Sequence, residues 1–280
     1  MTPEGAMSFE GQMTSEGNMN YSVLTIFPEM FQAFLQHGII GRAVTKQQIG
    51  VTLFNIRDFA TDKHQVTDDR PYGGGSGMVM KPEPLAGALR AAKNAFPASK
   101  TVLLTPQGRP FDQAIARSYA ACDGLILICG RYEGIDERID HRFVDDEISI
   151  GDYVLMGGEL AAMVMIESVA RLIPGVLGGE DSAEKDTFSG DLVEHAHYTR
   201  PYLFEGEAVP DVLLSGNHKE IDEWRLEMSL IRTFLKRPDL LKGKQLSVRE
   251  IDILKKWCMD IENIIKLQSL PDTDPLSGGR

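Results

Sequence analysis

Residues 125–159, LILICGRYEGIDERIDHRFVDDEISIGDYVLMGGE, decide the fold. Residues 125–129 form a continuous apolar run bounded by Gly124 and Gly130, which fits a strand buried on both faces better than an amphipathic helix. The turn Gly130-Arg131-Tyr132-Glu133-Gly134 follows at once. A second apolar run, residues 153–156, sits between Gly151 and the pair Gly157-Gly158 and reads as a second strand-like segment ending in a glycine loop. Open α/β sheets bind ligands in the crevice outside their strand ends, so the two loops predict a pocket. These loops carry no lysine, and neither G-x-G-x-x-G nor G-x-x-x-x-G-K-[ST] fits them. A nucleoside without phosphates suits such loops better than a nucleotide.

Working outward, strands are expected at 21–27, 49–55 and 101–104, the last leading into a loop, Thr105-Pro106-Gln107-Gly108. Helices are expected at 29–35, opened by Pro28, and at 84–95, 111–121 and 160–172. Residues 57–80 form a long loop rich in glycine, with Asp68-Asp69-Arg70 serving either as a loop salt bridge or as a substrate contact. Strands alternating with helices predict an α/β fold with a mostly parallel sheet covered on both faces. The loops after Leu104, Cys129 and Met156 must then meet on one side of that sheet to form a single pocket. Beyond it, residues 175–191 are dense in Gly, Ser, Asp and Glu and read as a flexible linker. A helix at 220–236 and another at 247–267, with Ser247 as N-cap and Glu250 three residues on, predict a smaller, mostly helical second domain.

Residues 1–18 are three copies of a hexapeptide, MTPEGA, MSFEGQ and MTSEGN, without apolar periodicity. They read as a disordered extension, and Met19 is a candidate start. No apolar run approaches the roughly 20 residues of a membrane helix, and no signal peptide is visible, which predicts a cytoplasmic protein. Cys122, Cys129 and Cys258 are scattered and read as reduced, buried residues. His195 and His197 lack a third ligand at metal spacing, so no metal site is predicted, and Trp224 reads as core. The net charge of −12 opposes nucleic-acid binding, yet residues 233–249 hold Lys236, Arg237, Lys242, Lys244 and Arg249 against the single acid Asp239. Positive potential confined to one patch is compatible with recognition of one folded RNA, and equally with a solvated surface.

The phrases CGRYEGIDERI (129–139), SIGDYVLMGGELAAM (149–163) and SVARLIPGVLG (168–178), with FPEMF, DDRPYGGG, TPQGRPFDQ, HYTRP and LLSGNH in order around them, resemble bacterial tRNA (guanine-N1)-methyltransferases, the TrmD family of the SPOUT superfamily. The resemblance covers about residues 20–267. It implies a deep trefoil knot in the α/β domain, S-adenosylmethionine as methyl donor, tRNA as substrate and N1 of the guanosine immediately 3′ of the anticodon, position 37, as acceptor. It also implies a homodimer with composite active sites. The domains it suggests are a knotted donor-binding domain (19–177), a linker carrying the catalytic base (178–191), a helical tRNA-binding domain (192–267) and a disordered tail (268–280).

By the same resemblance Gly130, Ile150, Gly151, Asp152, Tyr153, Val154 and Leu155 line the donor site, with Pro106, Tyr132, Glu133 and Gly158 nearby. Guanine N1 carries a proton at neutral pH, so a general base is required, and the resemblance assigns it to Asp186 in SAEKDTF (182–188). An ordinary aspartate, with a pKa near ~3.9, needs help with so weak an acid. Arg171 matches the family's arginine for stabilising the anion that develops on the guanine. Thr187 stands where serine is common, and the hydroxyl is kept. A Mg²⁺ ion is a further expectation of the resemblance, with no ligands marked in the sequence. The alternatives are a knotted methyltransferase acting on another RNA or base atom, and a non-catalytic RNA-binding module. A binding module has no need of Asp186 and Arg171.

Overall fold

Parallel strands joined by helical crossovers are covered on both faces, so their side chains must be apolar in both directions. The central strand meets that demand in full: in the computed structural model every residue of Gly124–Cys129 is buried. The structure describes residues 6–9, 19–178, 187–188 and 192–268. Asp186, most of the expected linker and the expected disordered tail from 269 onward lie outside the described residues. The chain divides into two compact units, Met1–Ala183 and Glu184–Arg280.

The first unit runs β1 (Ala6–Phe9), β2 (Met19–Thr25), a 3₁₀ turn (Pro28–Phe31), α1 (Gln32–Gln36), α2 (Gly38–Thr45), β3 (Ile49–Asn55) and a second 3₁₀ turn (Ile56–Phe59). It continues with β4 (Asp68–Asp69), β5 (Val79–Met80), α3 (Pro82–Ala95), β6 (Lys100–Pro110), α4 (Gln113–Ala120), β7 (Gly124–Cys129), α5 (Glu137–Phe143), β8 (Asp146–Ser149) and α6 (Glu159–Ala170). The main sheet has the order β1-β3-β2-β7-β6-β8. Strands β3, β2, β7, β6 and β8 are mutually parallel, and β1 lies antiparallel on β3. Alternate residues feed opposite cores. Leu125, Leu127 and Cys129 join Phe31, Leu35, Tyr119, Met165 and Ile166 on one face, while Ile126 and Ile128 join Leu85, Leu89 and Ile139 on the other.

Three expectations about the first unit and the cysteines need correction. Residues 153–156 are not a strand: Val154 and Met156 are almost fully exposed, and the strand of this region is β8, Asp146–Ser149. Four apolar residues boxed in by glycines mimic a buried strand, whereas the true strand is polar in its first half because its partners are charged. Ala6–Phe9, expected to be disordered, pairs with β3 from Ala6 opposite Phe54 to Phe9 opposite Val51, satisfying backbone groups that an open edge would leave unpaired. Of the three cysteines only Cys129 is buried; Cys258 is exposed and Cys122 intermediate.

Asp146 anchors β8. Its carboxylate accepts Arg109 Nε (3.0 Å) and Nη2 (2.6 Å), Lys100 Nζ (3.1 Å) and the Tyr119 hydroxyl (2.8 Å). The Arg109 hydrogen bonds, ahead of those from Tyr119 and Lys100, hold its pKa well below the usual aspartate range. A depressed folded-state pKa means stability that is full above the unfolded value near ~3.9 and drains away as pH falls through the folded value. Asp146→Asn is therefore expected to cost about 2 kcal/mol at neutral pH, as for hydrogen bonds to a charged group. The gap to the parent should narrow as pH drops below about 4, as measured by urea denaturation across pH; a gap independent of pH would refute this role.

The second unit holds a short hairpin, β9 (Leu203–Phe204) and β10 (Glu207–Ala208), a 3₁₀ turn (Asp211–Leu214), and α7 (His218–Lys236), α8 (Pro238–Lys242) and α9 (Val248–Gln268). The capping box opening α9 is present: Ser247 N–H donates to Glu250 Oε2 (2.7 Å), and Glu250 N–H to Ser247 Oγ (3.3 Å). Phe234 meets Trp257 edge-on at 5.3 Å. Trp224, expected in the core, is half-buried beside the rings of His195 and Tyr198. No described helix is long and apolar enough to cross a membrane.

Candidate active site

The three loops expected to converge do so. Strand β6 is interrupted after Leu104, and both Leu104 and Arg109 register with Ile148, so residues 105–108 bulge out of the sheet. Beyond the end of β7, residues 130–134 make a tight turn closed by Gly134 N–H to Arg131 O (3.1 Å). Tyr132 adopts φ 60°, a left-handed conformation unusual for a bulky side chain, and Gly134 lies at φ 126°. The third loop, residues 150–158, joins β8 to α6 and folds back on the turn: Gly158 N–H donates to Gly130 O (2.9 Å), and Arg131 bridges Gly157. A Cβ at Gly158 would stand 2.7 Å from Cys129 Cα, so glycine is required for that approach. The glycine-rich loop before α3 supports the turn from its other side, where Glu133 N–H donates to Met78 O (3.0 Å) and Met80 N–H to Gly134 O (3.0 Å).

Between the loops is a cavity of about 280 Å³. Thr105, Pro106 and Gln107 contribute from the bulge, Gly130 and residues through Ile135 from the turn, and Ile150, Gly151, Tyr153, Val154, Leu155 and Gly158 from the third loop. Its charged lining is acidic: Glu133, Glu137, Asp140 and Glu147 stand against one cation, Arg131, which is itself paired with Glu159 (3.0 Å). Glu147 is pushed up by burial and then by Asp140 and Glu137. Burial pushes the Cys129 thiol far up, so it stays protonated beneath the cavity wall. The Tyr132 phenol is raised by burial and then by Asp68, which links the 57–80 loop to the cavity. On α5, His141 faces Glu137 (2.9 Å), and Glu137, Asp140 and His141 bring potential ligating atoms within 4.8 Å of one another.

Of the sequence-predicted pocket residues, Gly130, Ile150, Gly151, Tyr153, Val154, Leu155, Pro106, Tyr132, Glu133 and Gly158 line this one cavity. Asp152 does not: it is exposed, and the loop passes it outward between two lining residues. Arg171 is elsewhere, at the C-terminal end of α6 beside a second cavity of about 380 Å³ lined by Phe34, His37, Ile39 and Glu167. At 1.5 Å per residue, the helix puts it about 20 Å from Gly158. Arg131 and Glu159 escaped the sequence reading as a functional pair. The available signal was a carboxylate opening a helix whose next seven residues are all apolar, which has to find a partner once buried.

Fold and cavity together define an α/β protein with a glycine-built, electronegative cavity at the carboxyl ends of a parallel sheet, where open α/β folds ordinarily place a ligand. Residues 19–243 match the family described as tRNA (Guanine-1)-methyltransferase TrmD, and the chain belongs to that family. It is 54% identical over 262 residues to the tRNA (guanine-N(1)-)-methyltransferase of Desulfatibacillum aliphaticivorans, covering 94% of this chain and 100% of the relative. It is also 56% identical over 236 residues to that of Geobacter sulfurreducens, covering 84% and 96%. The match to the Hahella chejuensis protein of the same name is 54% over 237 residues, covering 84% and 92%.

Proposed function

We propose that this protein transfers the methyl group of S-adenosylmethionine to N1 of the guanosine immediately 3′ of the anticodon in tRNA, acting in the cytoplasm as a homodimer. The observation that carries the reading is the acid-lined, glycine-built cavity in a chain of this family. The donor is a cation at sulfur and at its amino group, so four carboxylates favour it, while the lack of a lysine in the lining disfavours phosphates. When bound, the donor supplies an electrophilic methyl group. Asp186 takes the N1 proton, Arg171 stabilises the charge that develops at O6, and the N1 lone pair then forms the bond to carbon as sulfur leaves with its electron pair. No step is assigned to Mg²⁺; Glu137 and Asp140 are the cavity carboxylates to hold one. The proposal includes a knotted backbone, on the ground of family membership alone.

Two features favour the dimer. Arg171 stands far from its own chain's cavity, as a residue serving a neighbour's site would. Helix α6 is apolar nearly all round, leaving Leu160 and Val164 exposed, and a helix of that kind is ordinarily covered. The reading is tested by incubating protein, labelled donor and unmodified tRNA, then digesting and identifying the nucleoside. The expected product is 1-methylguanosine; label on any other atom overturns the proposal.

For tRNA contact the basic stretch narrows. Arg237 pairs with Asp239 (2.7 Å), Lys244 with Glu250 (3.4 Å) and Arg249 with Glu223 (3.3 Å). Lys236 and Lys242 are exposed and make no ion pair among the described residues. Replacing both by Gln is expected to lower the salt slope of tRNA binding by about 1.5 to 2, through lost counterion release, with donor affinity unchanged. An unaltered slope would make these lysines mere solvated surface.

A further inference from the structure

Behind the cavity wall lies a buried ion pair that the proposed chemistry does not use. Glu159, the first residue of α6, is 1% exposed, and its carboxylate takes both arms of Arg131: Nη2 to Oε2 at 3.0 Å and Nε to Oε1 at 3.2 Å. Oε1 also accepts the Thr25 hydroxyl at 2.7 Å, and Thr25 Oγ1 in turn accepts Phe27 N–H at 2.9 Å. The guanidinium lies over the Phe27 ring, 4.2 Å from its centre. Four segments thus end on one charge pair: the end of β2, the turn after it, the 130–134 turn and the start of α6. The space is fully used, since a Cβ at Gly157 would come within 2.7 Å of Arg131 Nε. Arg131, Gly157 and Gly158 themselves line the cavity, so displacement of the pair reaches the ligand directly.

We propose that Arg131 and Glu159 are positioning residues for the methyl donor. Their ion pair, clamped by Thr25 and Phe27, holds the 130–134 turn in antiparallel register with Gly157 and Gly158, so the cavity is formed before the donor enters. An apolar pair could fill the same volume, but it would leave the relative rotation of the two turns free. A bidentate pair permits one geometry. Binding to a preformed site avoids ordering two loops at the moment of association, and the gain appears in donor affinity. The inference rests on the reading of the cavity as the donor's site.

The test uses the full-length protein with Arg131→Lys, which keeps the charge and loses the fork, Glu159→Gln, which keeps the shape and loses the charge, and Phe27→Leu, which leaves the buried pair intact. S-adenosylmethionine binding is measured by calorimetry, steady-state constants for donor and tRNA separately, and amide hydrogen exchange on the free protein. Arg131→Lys and Glu159→Gln are expected to raise donor Kd and KM tenfold or more, with tRNA KM unchanged and kcat at saturating donor within about threefold of the parent. Amides of residues 131–134, 157 and 158 should exchange at least tenfold faster while the β-sheet amides do not. Phe27→Leu should fall between parent and these variants. A merely structural role would reduce the folded fraction, hence kcat, and leave donor KM where it was. Unchanged donor KM together with unchanged exchange in the turns overturns the inference. If the parent protein binds no S-adenosylmethionine, the reading of the cavity has failed instead, and exchange in the free protein alone then decides whether the pair orders the turns.

Discussion

Gly158→Ala is expected to lower methyl transfer at least a hundredfold and to melt several degrees below the parent, although it adds one carbon. The backbone angle is not the reason, since φ at Gly158 is −79° and suits alanine. The new Cβ would stand 2.7 Å from Cys129 Cα, 3.2 Å from Gly130 N and 3.3 Å from Cys129 C. All three are backbone atoms of the central strand and its turn, so relief has to come from moving α6 away from β7. That costs about 3 kcal/mol by comparison with other overpacked cores, and it breaks the Gly158 to Gly130 hydrogen bond that closes the cavity floor. Gly130→Ala is the control. There the Cβ meets nothing nearer than Leu104 O at 3.7 Å, so the protein should keep its melting temperature and lose only donor affinity, because Gly130 faces the cavity. Thermal melts and donor calorimetry on the two variants separate the cases, and a Gly158→Ala protein with parental turnover would show that the close packing is dispensable.

The second large effect is the rescue of activity by mixing two dead proteins. Asp186→Ala keeps a sound cavity and loses the proposed base. Gly130→Val keeps the base, and its branched side chain fills more of the cavity than alanine's single methyl, enough to block the donor. If the base of one subunit serves the pocket of its partner, a mixed dimer joins the intact pocket of the first variant to the intact Asp186 of the second. Random assortment then places about half the dimers in the mixed form with one working site each, so about a quarter of parental activity should return. The position of Arg171, remote from its own chain's cavity, motivates the expectation. Mixed dimers verified by differential tagging that stay inactive would place the base in cis.

What residue order alone determined was whatever depends on local chemistry. The apolar run of 125–129 fitted a doubly covered strand better than an amphipathic helix, and strand β3 fell at Ile49–Asn55, where its β-branched residues placed it. The box of Ser247 and Glu250 specified the start of α9 because both halves of that contact lie within one helical turn. Ten of the residues that the family resemblance assigned to the donor site line the cavity, whereas their glycines taken alone could equally have served only to turn the chain. The tertiary structure decided the rest, since it depends on groups distant in the chain. Strand β8 was hidden because its leading acid, Asp146, pairs with Arg109, Lys100 and Tyr119 on other elements, and charge in a strand reads as loop until its partners are known. The exposed run 153–156 misled for the complementary reason: its apolar residues face an open cavity and solvent instead of a core. The pairing of Arg131 with Glu159 became visible only when the fold brought them together, because burial of a charge commits it to a partner without saying where in the sequence that partner lies.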